Sequence, residues 1–146
     1  LEDYPNGKAG SGKQYVENKY REEAVTFRRK NRENIALLLG TESDEQSVAE
    51  RKQALDAQLA TTNMPARNPD ERIVFWIPKW HVETWGLHLT GNAVDEVTNY
   101  HHIGGKIDWR EAGRNFRKEY IASKSGAASV LPSLDYAYKE TERLKL

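Results

Sequence analysis

Five apolar residues in succession, Ile73-Val74-Phe75-Trp76-Ile77, are closed off by Pro78. Every one of them is β-branched or aromatic, the composition of a strand buried in a core. Pro78 cannot donate to a β-ladder, so the strand stops there. A second strand is predicted at Val82 to Leu89, where alternation puts Trp85, Leu87 and Leu89 on one face and Val82, Thr84 and His88 on the other. The two are expected to form an antiparallel β-hairpin turning at Pro78-Lys79. A lone hairpin is marginal in water, so helices have to cover it.

The flanking sequence supplies those helices. Residues 1–12 (LEDYPNGKAGSG) combine Pro5, Asn6-Gly7, Gly10 and Gly12, and read as a flexible lead-in. From Lys13 to the stop at Gly40, Val16, Tyr20, Ala24, Phe27, Ile35 and Leu38 recur at steps of three to four, the spacing of an amphipathic helix. Ser43-Asp44-Glu45-Gln46 has the form of a capping box, and a helix with a thin stripe of Val48, Ala54, Leu55 and Leu59 follows to about Ala60. The short link makes residues 13–62 a helical hairpin. Residues 63–71, with Pro65 and Pro69, read as a linker, and residues 72–146 as a small α+β portion of what is expected to be one domain. Within it Asn92 is taken to cap a short helix through Tyr100. Asp108 is taken to cap a stronger one bearing Trp109, Ala112, Phe116 and Tyr120 and stopped at Gly126, and Pro132-Ser133 to open the last. The expected fold class is therefore α+β: an N-terminal helical hairpin, then a small antiparallel β-hairpin packed by three C-terminal helices.

Composition narrows the function classes. Cysteine is absent, which excludes disulfides, thiolate metal sites and cysteine nucleophiles and leaves the compartment open. Twenty-two basic and 22 acidic residues cancel, so no whole-molecule field favours nucleic acid or an anionic membrane. The longest apolar runs, Ile35 to Leu39 and Ile73 to Ile77, fall far short of the ~18 residues a spanning helix needs, so a soluble chain with no membrane partner is expected. The chain opens on Leu1 and is read as processed or as a fragment of something longer.

All four histidines (His81, His88, His101, His102) fall between Arg72 and Gly105, beside Trp76, Trp80 and Trp85. No two histidines stand four apart, and neither a His-Glu-x-x-His helix nor an aspartate-rich calcium loop occurs. His81 or His88 with His101 or His102 and an acid such as Asp95 or Glu96 is the combination that could ligate a metal. With no established spacing present, no metal and no cofactor is expected, and the imidazoles read as margin-of-core side chains. His101 and His102 are the acid–base candidates, followed by a basic helix whose Arg110, Arg114 and Arg117 could bind an anionic substrate. A His-Asn-His nuclease pattern would require a further histidine after Asn115, and none follows.

Tryptophan density points to a different class. Trp76, Trp80 and Trp85 carry more aromatic area than one hairpin can bury, and tryptophan dominates binding hot spots. The sequence therefore predicts a protein-interaction or assembly module contacting another protein through Trp76, Trp80 and Trp85. The alternative is a small phosphate-directed hydrolase, such as a nuclease toxin domain, with nucleic acid as the partner.

Overall fold

A computed structural model describes residues 12–30 and 34–145. The lead-in predicted for residues 1–12 lies, but for Gly12, outside the described residues. In chain order the elements are α1 (Gly12–Lys30), β1 (Leu37–Gly40), α2 (Val48–Ala60), β2 (Ile73–Trp76), α3 (Val82–Leu89), a 3₁₀ helix (His101–Lys106), α4 (Trp109–Ser123), α5 (Pro132–Thr141) and a closing 3₁₀ turn (Glu142–Leu144).

The sheet corrects the predicted hairpin. Its two strands are β1 and β2, paired in parallel with Leu37 opposite Ile73 and Gly40 opposite Trp76. Parallel neighbours need a crossover, and α2 supplies it, so residues 37–76 form a strand–helix–strand unit. Both runs that read as continuous apolar stretches are its strands. β2, covered on both faces, loses the polar alternation that marks a half-exposed strand.

The end of the predicted first helix is thus strand. The capping box also sits one turn later than expected: the Glu50 N–H donates to Ser47 Oγ (3.1 Å) and the Ser47 N–H to Glu50 Oε2 (2.8 Å). Ser43 instead donates its N–H to the Pro78 carbonyl at 3.0 Å, prolonging the strand pairing beyond β1. α1 and α2 do pack together, but with β1 between them in sequence.

Val82–Leu89 is helix α3, not strand. Thr84, Trp85, Gly86, Leu87 and Leu89 are all buried, so the segment is apolar nearly all round and its pattern fits a period of 2 or of 3.6 alike. Asn92 to Tyr100 forms no helix. Asp95 accepts the N–H groups of Val97 (2.9 Å) and Thr98 (2.7 Å) there, a turn that satisfies the backbone locally. The later elements follow their signals. Asp108 Oδ1 accepts the N–H groups of Arg110 and Glu111, Gly126 lies past α4 with φ +91°, and Pro132 occupies the first turn of α5.

β2 separates two cores. Ile73, Phe75 and Ile77 join Tyr20 and Ala24 of α1, Leu39, and Leu55 and Leu59 of α2. Trp76, on the opposite face, packs with Trp85, Leu89, Ala112, Tyr120, Leu134 and Tyr138 of α3 to α5. The molecule is a mixed α and β structure of helices on both faces of a two-stranded sheet. Among the described residues, no helix is long and apolar enough to cross a membrane.

Candidate functional site

The outer edge of β2 is closed. Glu140 on α5 accepts the Phe75 N–H at 3.1 Å and pairs with Arg67 at 2.6 Å. Arg67 in turn donates to the Ile73 carbonyl at 2.9 Å and lies 3.6 Å from the centroid of the Phe75 ring. Among the described residues, the outer edge of β1 has no such cover. Leu37 and Thr41 donate their N–H groups toward β2, so parallel alternation turns the N–H and C=O of Leu38 and Gly40 away from it. No described residue bonds to them.

That open edge lines a groove of about 1450 Å³. Its other walls are Val16 and Tyr20 of α1, Val82 and Gly86 of α3, and Trp109 and Phe116 of α4. Leu38 (46% exposed), Val82 (41%) and Trp109 (46%) are large apolar residues left in solvent, and all three line it. Gly86 sets the wall: a Cβ there would meet the Trp109 ring at 2.8 Å and Ile107 Cγ2 at 2.9 Å, so only glycine lets the indole lie on α3.

The three tryptophans predicted as a contact surface are placed unequally. Trp76 is half-buried, packs at a tilt with its ring 4.9 Å from that of Phe116 and donates Nε1–H to Thr141 Oγ1 at 3.0 Å. Trp85 is buried and donates to Ser133 Oγ at 2.7 Å. Both reach the groove from below. Trp80 does not line it; it stands at φ +60° with Lys79 Nζ 4.7 Å from its ring. Trp109, read from the sequence as a core residue of its helix, is the exposed tryptophan of the groove.

Two of the groove's polar residues, Glu42 and Asp44, also belong to a histidine–carboxylate cluster. His81 Nδ1 lies 2.8 Å from Glu42 Oε2 and 3.9 Å from Asp44 Oδ1. The other oxygen of Glu42 accepts the Val82 N–H at 3.1 Å, capping α3 where the His81 side chain does not. Lys13 pairs with Asp44 at 2.5 Å, and Lys79 donates to the Asp44 and Gln46 carbonyls. From the 3₁₀ helix, His101 brings its ring centroid to 4.6 Å from that of His81 and its Nδ1 to 3.8 Å from Glu83 Oε1. Oε2 of Glu83 is buried with no hydrogen-bond partner. His81, Glu83 and His101 each offer a ligand atom, all within 4.8 Å of one another, and so do Glu42, Asp44 and His81.

The remaining candidates are elsewhere. His102 is exposed, and no contact joins it to His81 or Glu83. His88 Nε2 lies 3.4 Å from Glu119, whose same oxygen accepts the Tyr138 hydroxyl, an arrangement that joins α3, α4 and α5. Burial, and next the Glu119 carboxylate, push the Tyr138 hydroxyl well above the usual tyrosine range. Asp95 is engaged in its own turn, where the Thr98 and Val97 N–H groups hold its carboxyl below the usual range, and Glu96 accepts the Ser133 N–H. Arg110, Arg114 and Arg117 share one exposed stripe of α4, and among the described residues no ion pair engages them. Sequence reasoning did not find Glu42, Asp44, Leu38 or Gly40. The signal for them was the pair of continuous apolar runs flanking a helix, which reads as a parallel unit with a second edge.

No protein-family model, no curated protein and no solved structure matches the chain.

Proposed function

We propose that the chain is a protein-interaction module that accepts an extended segment of a partner protein as a third strand on β1. The observation that carries this reading is the open edge at Leu38 and Gly40 inside an apolar groove. Strand addition draws affinity from main-chain hydrogen bonds and specificity from pockets for alternate side chains. The occupant this selects is an extended peptide with apolar groups at every second position, facing Val82, Trp109 and Phe116. Trp109 is the anchor residue, since large aromatics in such settings dominate binding energy.

The test is selection of extended peptides from a displayed library on the purified chain, then hydrogen exchange with and without the selected peptide. The expected result is slowed exchange at the Leu38 and Gly40 amides and, for Trp109→Ala, a Kd weaker by about 30-fold, the equivalent of ~2 kcal/mol. Leu38→Lys should also weaken binding while leaving the fold intact. Unchanged exchange at those two amides, or full-strength binding by both variants, would overturn the reading.

A second reading, the phosphate-directed hydrolase, is supported by His101 lying beside His81 and Glu83. It requires that cleavage of a nucleic-acid substrate be lost in His101→Ala. It is weakened by the separate position of Arg110, Arg114 and Arg117, which leaves the imidazoles without an anion clamp.

A further inference from the structure

We infer that His81, Glu83 and His101 form a binding site for one divalent transition-metal ion of the zinc class, with Glu42 holding His81 in the ligating orientation. The inference goes beyond the groove reading, and its three ligands, His81, Glu83 and His101, lie outside the groove lining. Imidazole with carboxylate is the donor set such ions take, whereas calcium and magnesium prefer oxygen alone. The three ligand atoms are within 4.8 Å of one another, close enough for one ion to span them after small side-chain rotations.

Three further observations point to a cation. First, an ionised carboxylate only accepts hydrogen bonds, so the 2.8 Å approach of Glu42 places the hydrogen of neutral His81 on Nδ1 and leaves the lone pair on Nε2. A histidine held by a carboxylate through one nitrogen and by a metal through the other is the usual way proteins fix a ligating imidazole. Second, Glu83 Oε2 is buried and accepts nothing, although burying an unpaired carboxylate oxygen is unfavourable. A cation held through Oε1, which lies 3.8 Å from His101 Nδ1, would stabilise the same carboxylate. Third, among the described residues three carboxylates, Glu42, Asp44 and Glu83, gather around the two imidazoles, a setting that favours a cation.

His81 and Glu83 are placed by the start of α3, and His101 is carried in by the 3₁₀ helix packed on it, so the ion would reinforce a contact between elements separated in sequence by an irregular segment. Three protein ligands leave a coordination position for water.

The experiment uses the untagged chain, stripped with chelator and titrated with Zn²⁺ by competition calorimetry and with Co²⁺ by visible absorption. One ion per chain is expected, with a rise in melting temperature on binding. His101→Ala and Glu83→Gln should each weaken Zn²⁺ binding by about 100-fold, and Glu42→Gln by about tenfold, the size seen for groups that orient a ligand. His88→Ala and His102→Ala should bind as the parent chain does. His101 is 71% exposed, so His101→Ala should keep the parent's metal-free melting temperature, separating ligand loss from misfolding. Absence of stoichiometric binding, or equal binding by the parent, His101→Ala and Glu83→Gln, would overturn the site. So would an equal loss in His102→Ala. The His101→Ala and Glu83→Gln outcomes leave peptide binding at Leu38 and Gly40 undecided, since neither residue lines the groove.

Discussion

The two edges of the sheet are treated in opposite ways. At β2 a charged pair, Arg67 with Glu140, supplies an acceptor to Phe75 and a donor to Ile73, and the two side chains are 3% and 7% exposed. At β1 the corresponding groups of Leu38 and Gly40 face a groove. An exposed edge is a template for pairing, and proteins generally blunt it with charge, bulges or cover. Here one edge is covered from within the chain, and the other is lined with Leu38, Val82 and Trp109. The difference teaches where to look for binding: the closed edge is a device of stability, and the open one is the available surface.

The sharpest way to break this comparison is to open the closed edge. Glu140→Ala leaves the buried Arg67 charge with only its longer contact to Asp56 at 3.4 Å and the Phe75 N–H without an acceptor, a loss expected at about 3 kcal/mol. Domains are stable by only ~5–15 kcal/mol, so urea denaturation should find the variant largely destabilised. A midpoint matching that of the parent would show that the edge is not held by this pair.

A smaller effect is expected on the open side. Gly86→Ala forces a methyl group against the Trp109 ring and Ile107. Such overpacking should lower stability by ~1–3 kcal/mol and displace the indole from the groove wall, which Trp109 fluorescence during peptide binding would report.

The smallest effect concerns the loop that delivers Arg67. Arg28 of α1 donates to Glu71 at 2.6 and 3.0 Å and to the Pro65 and Ala66 carbonyls. Burial opposes ionisation of Glu71, but hydrogen bonds from Arg28 and the Asn68 N–H, together with the charge of Arg28, outweigh it and hold the carboxyl below its ordinary value of 4.5. A lowered native pKa gives stability that is fully present above the unfolded value and lost as pH falls through the native one. Glu71→Gln should therefore be less stable than the parent at neutral pH, with the gap closing below pH 4.5 in a urea series. A gap independent of pH would assign the effect to packing instead.

Local signals in the sequence reached far. β2, the Asp108 cap, the stop at Gly126 and the Pro132 start of α5 were all legible, because each depends on one residue's own chemistry. What failed depended on partners far away in the chain. Leu37 to Leu39 continued the three-to-four spacing of α1 and looked helical until Ile73 to Phe75 were there to pair with. Val82 to Leu89 is covered on nearly every side, which erases the contrast between helical and strand periods. The site divides the same way. The sequence joins His81 or His88 with His101 or His102 and an acid such as Asp95 or Glu96; in the structure Asp95 is engaged in its own turn and Glu96 at Ser133. Glu42, Asp44 and Glu83 meet His81 and His101 only because β1 runs parallel to β2 and leads back to the start of α3.

Closure of β2 by Glu140 also sets an order of events during synthesis. Glu140 follows Phe75 by 65 residues, which a ribosome takes roughly 3 to 13 s to add. Through that interval the newly made strand–helix–strand unit has two unpaired flanks instead of one, and Arg67 has no counter-ion on α5. An unpaired strand edge is a template for self-association, and arrival of α5 closes the β2 flank through Glu140.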